Sequence, residues 1–348
     1  MISLSDRKWQ SFEIGDLFNV SGTTTTHPSV LKEKGNIPRI TCQAVNNGLE
    51  GFYSNTPTEN GGVLTVDSAT DGAVNYQGYD FIATDHVEKI SRKDGERIDR
   101  LSGIFLVWAV KSAIGNKYNY GYKFSQNRIR KQTILLPVTE TGEPDYDFMR
   151  SFVAERESSK RKEYVEYAAR QLAQIERERV DNEAIEWRVF YLSDLFSIQR
   201  GKRLKNDDHK SGDIPYVSSS ATNNGVDDYV SNVEKVRIFD NCLTLANSGS
   251  VGSTFYHSYH FVASDHVTSL KQAGMDKYCY LFITTLISRL SEKYNFNREI
   301  NDPRIRREKI LLPVKNNEPH YTYMSNCVRN TLADKYTEYL NYAQKINY

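Results

Sequence analysis

Trp9-Gln-Ser-Phe-Glu-Ile-Gly-Asp-Leu-Phe18 returns, 178 residues later, as Trp187-Arg-Val-Phe-Tyr-Leu-Ser-Asp-Leu-Phe196. Five further blocks do the same. Gly35-Asn-Ile-Pro38 matches Gly212-Asp-Ile-Pro215, Asn46-Asn-Gly48 matches Asn223-Asn-Gly225, and Asp85-His-Val87 matches Asp265-His-Val267. Ile134-Leu-Leu-Pro-Val138 matches Ile310-Leu-Leu-Pro-Val314, and Glu143 to Met149 matches Glu318 to Met324. The offsets drift only between 175 and 180 residues, and the order never changes, so chance is excluded. Solenoid repeats run about 20 to 50 residues, so a period of this size is a duplicated domain. Two related domains on one chain suit a ligand with two related, separated features.

Each repeat reads first as strands and turns. Asn47-Gly48 and Asp71-Gly72 punctuate short runs rich in Val, Ile, Thr and Tyr. A helix is expected around Leu101–Ser112 and Lys277–Lys293, and the Ile-Leu-Leu-Pro block as a last buried strand closed by its proline. After Pro319, Tyr321, Met324, Val328, Leu332, Tyr336, Tyr339, Ala343 and Ile346 recur at spacings of three and four, an amphipathic helix. The matching segment, about Asp147 to Asn182, carries Phe148, Phe152, Tyr164, Ala168, Leu172 and Ile175 among many charges. Neither stripe can be buried alone, so the two helices are expected to pack on each other and hold the domains apart.

The chain has 348 residues, 39% hydrophobic and 26% charged, a globular composition with room for about two domains. The start has no signal-like apolar run and no stretch could span a bilayer, so the expectation is a soluble, cytoplasmic protein with no membrane partner. Cys42, Cys242, Cys279 and Cys327 lie far apart, arguing against zinc and disulfides and for buried free thiols. The net charge is only +1, yet basic clusters occur at Arg128–Lys131, Arg200–Lys205 and Arg304–Arg307. Phosphate contact needs such clusters on one face rather than a basic chain, although any single cluster is equally well a solvated surface.

The ordered blocks, the two Trp-led openings, the Gly-x-Ile-Pro and Asn-Asn-Gly motifs, the Ile-Leu-Leu-Pro-Val exits and the helix after each exit resemble the specificity subunits of Type I restriction-modification systems. The chain is especially similar to the shorter BcgI-like subunits of Type IIB systems, and the resemblance covers essentially its whole length. It implies an α+β protein with two tandem target-recognition domains, β-rich with short helices, each followed by a long helix. The divisions would be 1–145, a central spacer helix 146–185, 186–319, and a C-terminal spacer helix 320–348. The helices would pack as an antiparallel coiled-coil spacer that fixes the gap between two half-sites in double-stranded DNA. They would dock methyltransferase subunits or a fused nuclease-methyltransferase. The chain itself would be non-catalytic and carry no cofactor, with S-adenosylmethionine and divalent metal on those partners. The helices are shorter than in the larger Type I subunits.

In a duplicated scaffold the glycines, prolines and core residues are kept while reading loops diverge. Between near-matching flanks, Ser21–His27 diverges from Arg200–Lys205 and Arg39–Gln43 from Tyr216–Ser220. Thr23, Thr24, Thr25, Thr26, His27, Arg39, Thr41 and Gln43 are therefore the candidate DNA contacts of the first repeat. Lys202, Arg203, Lys205, Tyr216, Ser218, Ser219 and Ser220 are those of the second. Arg or Lys suits guanine, and Asn or Gln suits adenine. Tyr118–Lys123 and Tyr294–Arg298, with Tyr120, Lys123, Asn295 and Arg298, are aromatic and amide runs ending in a cation, suited to stacking and phosphate contact or to a plain folded hairpin. Arg128, Arg130, Arg304 and Arg306 occupy matched positions, which suits a sequence-independent grip on phosphate. The Asp85-His86 and Asp265-His266 pairs, read as neighbours on a strand, would point to opposite faces and so form no acid–base dyad.

There is no Asn/Asp-Pro-Pro-Tyr block, glycine-rich cofactor loop or P-loop, so methylation and cleavage are assigned to partner subunits. The competing reading is a tandem β-rich module for protein or glycan with a helical dimerisation rod. A stand-alone repressor is a third.

Overall fold

The computed structural model describes residues 2–70, 72–175, 185–295 and 297–346. Asp71 of the expected Asp71-Gly72 turn, Phe296 of the second aromatic run, the far end of the central helix out to Asn182 and the side chain of Ile346 lie outside the described residues. The chain divides into two units, Met1–Glu163 and Tyr164–Tyr348.

The first unit runs β1 (Lys8–Glu13), the single turn α1 (Ile14–Leu17), β2 (Phe18–Gly22), β3 (Lys34–Ile40), β4 (Leu49–Tyr53), β5 (Val63–Asp67), β6 (Val74–Gln77), β7 (Ile82–Ala83) and β8 (Val87–Arg92). It continues through α2 (Arg100–Ile114), α3 (Gln126–Lys131), β9 (Thr133–Val138) and the long α4 (Tyr146–Gln174), inside which the division falls. The second unit repeats the series with β10 (Glu186–Tyr191), α5 (Leu192–Leu195), β11 (Ser197–Arg200), β12 (Ser211–Val217), β13 (Val226–Val230), β14 (Ile238–Phe239), β15 (Cys242–Ala246), β16 (Thr254–His257), β17 (Phe261–Ala263) and β18 (Val267–Lys271). Then come α6 (Lys277–Ile287), α7 (Asp302–Arg307), β19 (Lys309–Lys315), the short β20 (Glu318–Pro319) and α8 (Tyr321–Ile346).

Sheet order repeats as faithfully as element order. An antiparallel sheet β2-β8-β5-β6 recurs as β11-β18-β15-β16. A second sheet, β4-β3-β7, recurs as β13-β12-β17 with β14 added at its edge, and with the same parallel contact between a long strand and a very short one. Asn46, Asn47 and Gly48 all take positive φ (52°, 54°, 75°) to turn β3 into β4, and Asn223, Asn224 and Gly225 copy them (51°, 53°, 76°). Three left-handed residues in a row need Asn and Gly, which explains why this tripeptide is kept.

One face of the first antiparallel sheet packs on α2, burying Leu64, Val66, Ile90, Phe105 and Leu106. Leu243, Leu245, Leu270, Tyr280 and Ile283 do the same between β15, β18 and α6. Each such side chain contributes about 1.5–3 kcal/mol by burial. Asp99 caps α2 by accepting from Ser102 N (3.0 Å), and Asp276 caps α6 by accepting from Tyr278 N and Cys279 N (both 2.8 Å).

The exit strand differs from expectation. Proline does not close it: Pro137 and Pro313 lie within β9 and β19, opposite Trp9 and Trp187. Nor is the strand fully buried, since Leu135 and Leu311 are 58% and 49% exposed. The proline carbonyls instead accept from Asp145 N (2.9 Å) and His320 N (2.8 Å), anchoring the residue before each long helix. β9 pairs with β1 along its length and meets the chain on its other side only through the Val138–Pro144 bridge, a near-edge place where a proline is tolerated.

Met149 and Val153 of α4 belong to the first core. Within the second unit, Tyr164 and Tyr167 meet Tyr339 and Tyr336 of α8 at ring separations of 4.5 and 6.2 Å. Rising numbers on one helix pair with falling numbers on the other, so the contact is antiparallel. Buried Ala168, Ala333 and Ala343 leave room for it. No described helix is long and apolar enough to cross a membrane.

All four cysteines are free, but only Cys242 and Cys279 are buried; Cys42 and Cys327 are half-exposed. Burial, with Asp67 and Asp85 adding to it, pushes the Cys42 thiol up to about 12, so it is no nucleophile at neutral pH.

Candidate nucleic-acid interface

In each unit the diverging loops are stitched together at one end of the sheets. Thr23 donates N–H and Oγ1–H to the Val87 carbonyl (3.2 and 2.9 Å), and Thr26 N donates to Ala83 O (2.7 Å). Thr84 N donates to Ile40 O (3.0 Å), Cys42 Sγ to Asp85 O (3.6 Å), and Ser68 N and Oγ to His86 O (2.9 Å each). Loops 21–27 and 41–43 thus meet the β5–β6 and β7–β8 turns. A Cβ at Gly72 would sit 3.3 Å from the Phe124 ring and 3.5 Å from Tyr118, which brings the aromatic segment 118–123 alongside.

The second unit repeats the stitching. Gly201 N donates to Val267 O (2.8 Å), Lys202 N to Ala263 O (3.0 Å) and Ser264 N to Val217 O (3.0 Å). Ser250 N donates to Ser219 O (3.0 Å), Asn247 N to His266 O (2.8 Å), and Ile300 N to Asn247 O (3.0 Å). All three pairs of sequence-expected segments therefore converge.

Side chains divide by exposure. Thr24, Thr25 and His27 are exposed, Thr23 is half-buried and Thr26 is buried. His27 Nδ1 accepts from Ser29 N (3.2 Å), capping the turn Pro28–Val30. Thr41 and Gln43 are half-buried, their side chains donating to the Gly48 and Leu49 carbonyls. Lys202, Arg203 and Lys205 are exposed, and Ser218, Ser219 and Ser220 half-buried. The first unit thus offers hydroxyls where the second offers cations. Lys and Arg can donate two hydrogen bonds to guanine, whereas threonine offers a shorter contact and a methyl.

Two expected contacts are corrected. Arg39 is only 3% exposed, and Tyr216, its counterpart, only 4%. Arg39 pairs with Glu50 and donates from Nη2 to Thr26 O (3.0 Å), while the Tyr216 hydroxyl donates to Leu204 O (3.3 Å). Both are buried along with the residues that follow them, Ile40 and Val217, because both faces of β3 and β12 are covered at this end. They brace loops 21–27 and 200–205 from within.

The aromatic segments are tight hairpins, bridged Asn119 to Tyr122 and Asn295 to Arg298. Tyr120 stands 80% exposed at its tip with Lys123 Nζ 5.5 Å from its ring, and Arg298 lies 5.3 Å from the Tyr294 ring. Tyr118 roots its hairpin by donating to Gln132 Oε1 (3.2 Å), and Tyr294 does so by donating to Glu308, which also accepts from Lys293 (2.7 Å).

The matched arginines do more internal work than expected. Arg128 donates to Lys123 O (2.6 Å) while lying 3.8 Å over the Tyr122 ring, and Arg304 donates to Glu299 O. Arg130 donates from Nη2 to Val20 O (2.6 Å). Arg306 is exposed. Three of the four cations thus stand beside the loops with one arm tied to backbone.

The Asp-His pairs are not on strands. Asp85-His86 and Asp265-His266 form the turns before β8 and β18, with His86 at φ 63°. On a turn the neighbours face each other, at 3.6 and 4.0 Å from imidazole nitrogen to carboxylate. His266 Nδ1 also lies 2.5 Å from Ser248 Oγ, which ties it to the β15–β16 turn.

That turn and its counterpart at Asp67–Thr70 were missed by the sequence reading. The Asp67 carboxylate accepts from Ala69 N (2.6 Å) and Thr70 N (3.2 Å), presenting a rigid loop between the others. The signal was available, since Asp67-Ser68 and Asn247-Ser248 share the 180-residue offset of the Asp-His pairs.

Residues 6–167 and 184–338 each match the family described as Type I restriction modification DNA specificity domain. The specificity subunit S.BcgI of a Type II restriction enzyme from Heyndrickxia coagulans is 28% identical over 326 residues, covering 91% of this chain and 92% of that protein. Among solved structures, the S subunit of a Type I restriction-modification system from M. genitalium aligns with a TM-score of 0.45 and 13% identity, over 99% of this chain and 96% of that one. The HsdS subunit from Thermoanaerobacter tengcongensis aligns at 0.34 and 12%, over 98% and 92%.

Proposed function

The chain belongs to the Type I restriction modification DNA specificity domain family, in two copies, and from that premise we propose that each unit reads one half of a bipartite site in double-stranded DNA through its loop cluster. The chain is the DNA sequence-specificity subunit of a restriction-modification complex. The observation that carries the half-site assignment is the convergence, in both units, of the segments that diverge between the copies. A scaffold that holds its variable loops at one sheet end and keeps its turns, caps and exit strands is built to present different chemistry in the same way twice.

The hydroxyl loop of the first unit and the cationic loop of the second call for different half-sites, so the whole site is asymmetric. Tyr120, Lys123, Arg298, Arg306 and the three braced arginines supply contact to phosphate and sugar, fixing register without choosing bases. The helices α4 and α8 set the spacing between half-sites. They dock methyltransferase subunits, or a fused nuclease-methyltransferase, that hold S-adenosylmethionine and divalent metal. The chain contributes no catalytic group, and the assembly works in the cytoplasm.

Co-expression of the chain with its genomic neighbours, followed by mapping of methylated adenines across host DNA, tests this reading. The expected result is two short defined blocks flanking a fixed undefined gap, with no methylation or cleavage by the purified chain alone. A single uninterrupted block, or turnover by the partner-free chain, overturns it.

A further inference from the structure

Position 39 and its counterpart 216 are buried, yet their residue type changes completely between the copies. Their neighbours hardly change between the copies: Ile37-Pro38 becomes Ile214-Pro215, and Ile40 becomes Val217. Yet between them a buried arginine becomes a buried tyrosine. A buried scaffold position is ordinarily kept or swapped for a similar shape, because interiors are close-packed. This one diverges together with the loop it holds.

The hold is specific. Arg39 reaches the carbonyl of Thr26, in the first reading loop, while its other arm pairs with Glu50 of β4. Tyr216 reaches the carbonyl of Leu204, at the equivalent place in the second reading loop. Its ring is packed edge-on by His209 at 4.5 Å, and His209 Nδ1 is 2.6 Å from Asp228 Oδ2 on β13. Each device ties one central carbonyl of a reading loop to a buried side chain of the neighbouring strand. The residues flanking those carbonyls are the exposed Thr25 and His27 in one unit and Arg203 and Lys205 in the other.

We propose that Arg39 and Tyr216 are positioning residues that select bases without touching DNA, by fixing the plane of one peptide in each reading loop and so the direction in which its neighbours project. The proposal rests on the reading of one half-site per unit. Base discrimination through a donor–acceptor pair requires placement within about 0.5 Å, so releasing the peptide blurs the choice even where the reading side chains remain.

The test uses the assembled complex with its methyltransferase. Relative methylation rates are measured over a library of single-base variants of both blocks, alongside the melting temperature of each variant protein. Tyr216→Phe removes one hydroxyl and keeps the ring, and Arg39→Lys keeps the charge for Glu50 but not the fork that spans both partners. Tyr216→Phe is expected to reduce discrimination roughly 10-fold in the second block alone, and Arg39→Lys to do so in the first block alone. Each variant supplies the other's internal control. A uniform loss over all library members, or an unchanged profile in both variants whatever their melting temperature, overturns the positioning role. A wild-type library without two separable blocks overturns the half-site reading itself, before any variant is considered.

Discussion

Replacing Lys202, Arg203 and Lys205 together with glutamine removes three exposed cations that make no ion pair among the described residues. Their stems are mostly in solvent, so the fold should not notice, and the melting temperature should stay within about 2 °C. DNA binding should notice strongly. A cation that reads a base edge also sits among the phosphates and releases counterions there, contributing up to about 0.9 to the slope of log K against log salt, so losing three lowers it by up to about 2.7. At about 0.15 M salt that slope difference corresponds to roughly 10²-fold weaker binding, or about 3 kcal/mol. Fluorescence anisotropy of the complex on a duplex carrying the methylated motif, between about 50 and 300 mM potassium acetate, gives both slopes directly. Two results would overturn this expectation. If parent and variant slopes coincide, the second loop does not face DNA. If the parent slope is itself near zero, electrostatic attachment to DNA is wrong, and a protein or glycan ligand becomes the better reading.

Gly201 donates its N–H to Val267 O and lies so close to β17 that a Cβ there would fall 2.1 Å from the Ser264 carbonyl oxygen. Gly201→Ala must therefore displace the loop it opens, and methylation of second-block variants should lose discrimination while the first block keeps its profile. His257 is buried, and desolvation lowers its pKa to about 4, below an unfolded value near 6.5. Its folded pKa is depressed, so the stability it permits is present above pH 6.5 and falls as pH drops toward 4, by at most about 3 kcal/mol. Calorimetry of parent and His257→Gln should show that acid sensitivity only in the parent; equal pH dependence in both would remove this role.

Much of the fold was legible because the duplication supplied its own comparison. Blocks that recur at a steady offset had to be scaffold, and they are the turn at Asn46–Gly48, the strands around Pro137 and Pro313, and the openings of α4 and α8. What was misplaced depended on tertiary context. Asp85-His86 fits a strand or a turn equally well by residue type, and only His86 at φ 63° decides it. Arg39 looked like a reader because arginine is mostly a surface residue. Its burial depends on Glu50, 11 residues away, and no local pattern shows that the two meet. Arg128 and Arg304 looked like bare cations, yet each closes a loop on a carbonyl five residues back.

The copies preserve hydrogen bonds more strictly than residues. Gln77 and His257 occupy one place, bonding Thr65 (3.0 Å) and Thr244 (2.9 Å); Gln132 and Glu308 occupy another, each accepting from a hairpin tyrosine. A reading loop is therefore portable only with the partners of its brace. Moving residues 21–43 into the place of 199–220 carries Arg39 with its loop, but sets it beside Asp227, the counterpart of Glu50 and one methylene shorter. A buried guanidinium that has lost its carboxylate costs about 3–5 kcal/mol, and Asp227→Glu should restore most of it. The graft with that added substitution should melt well above the graft alone and write the first block in both halves of the methylated motif. Equal melting of the two grafts would mean that Glu50 does not hold Arg39 in place, and the bracing account would fall with it.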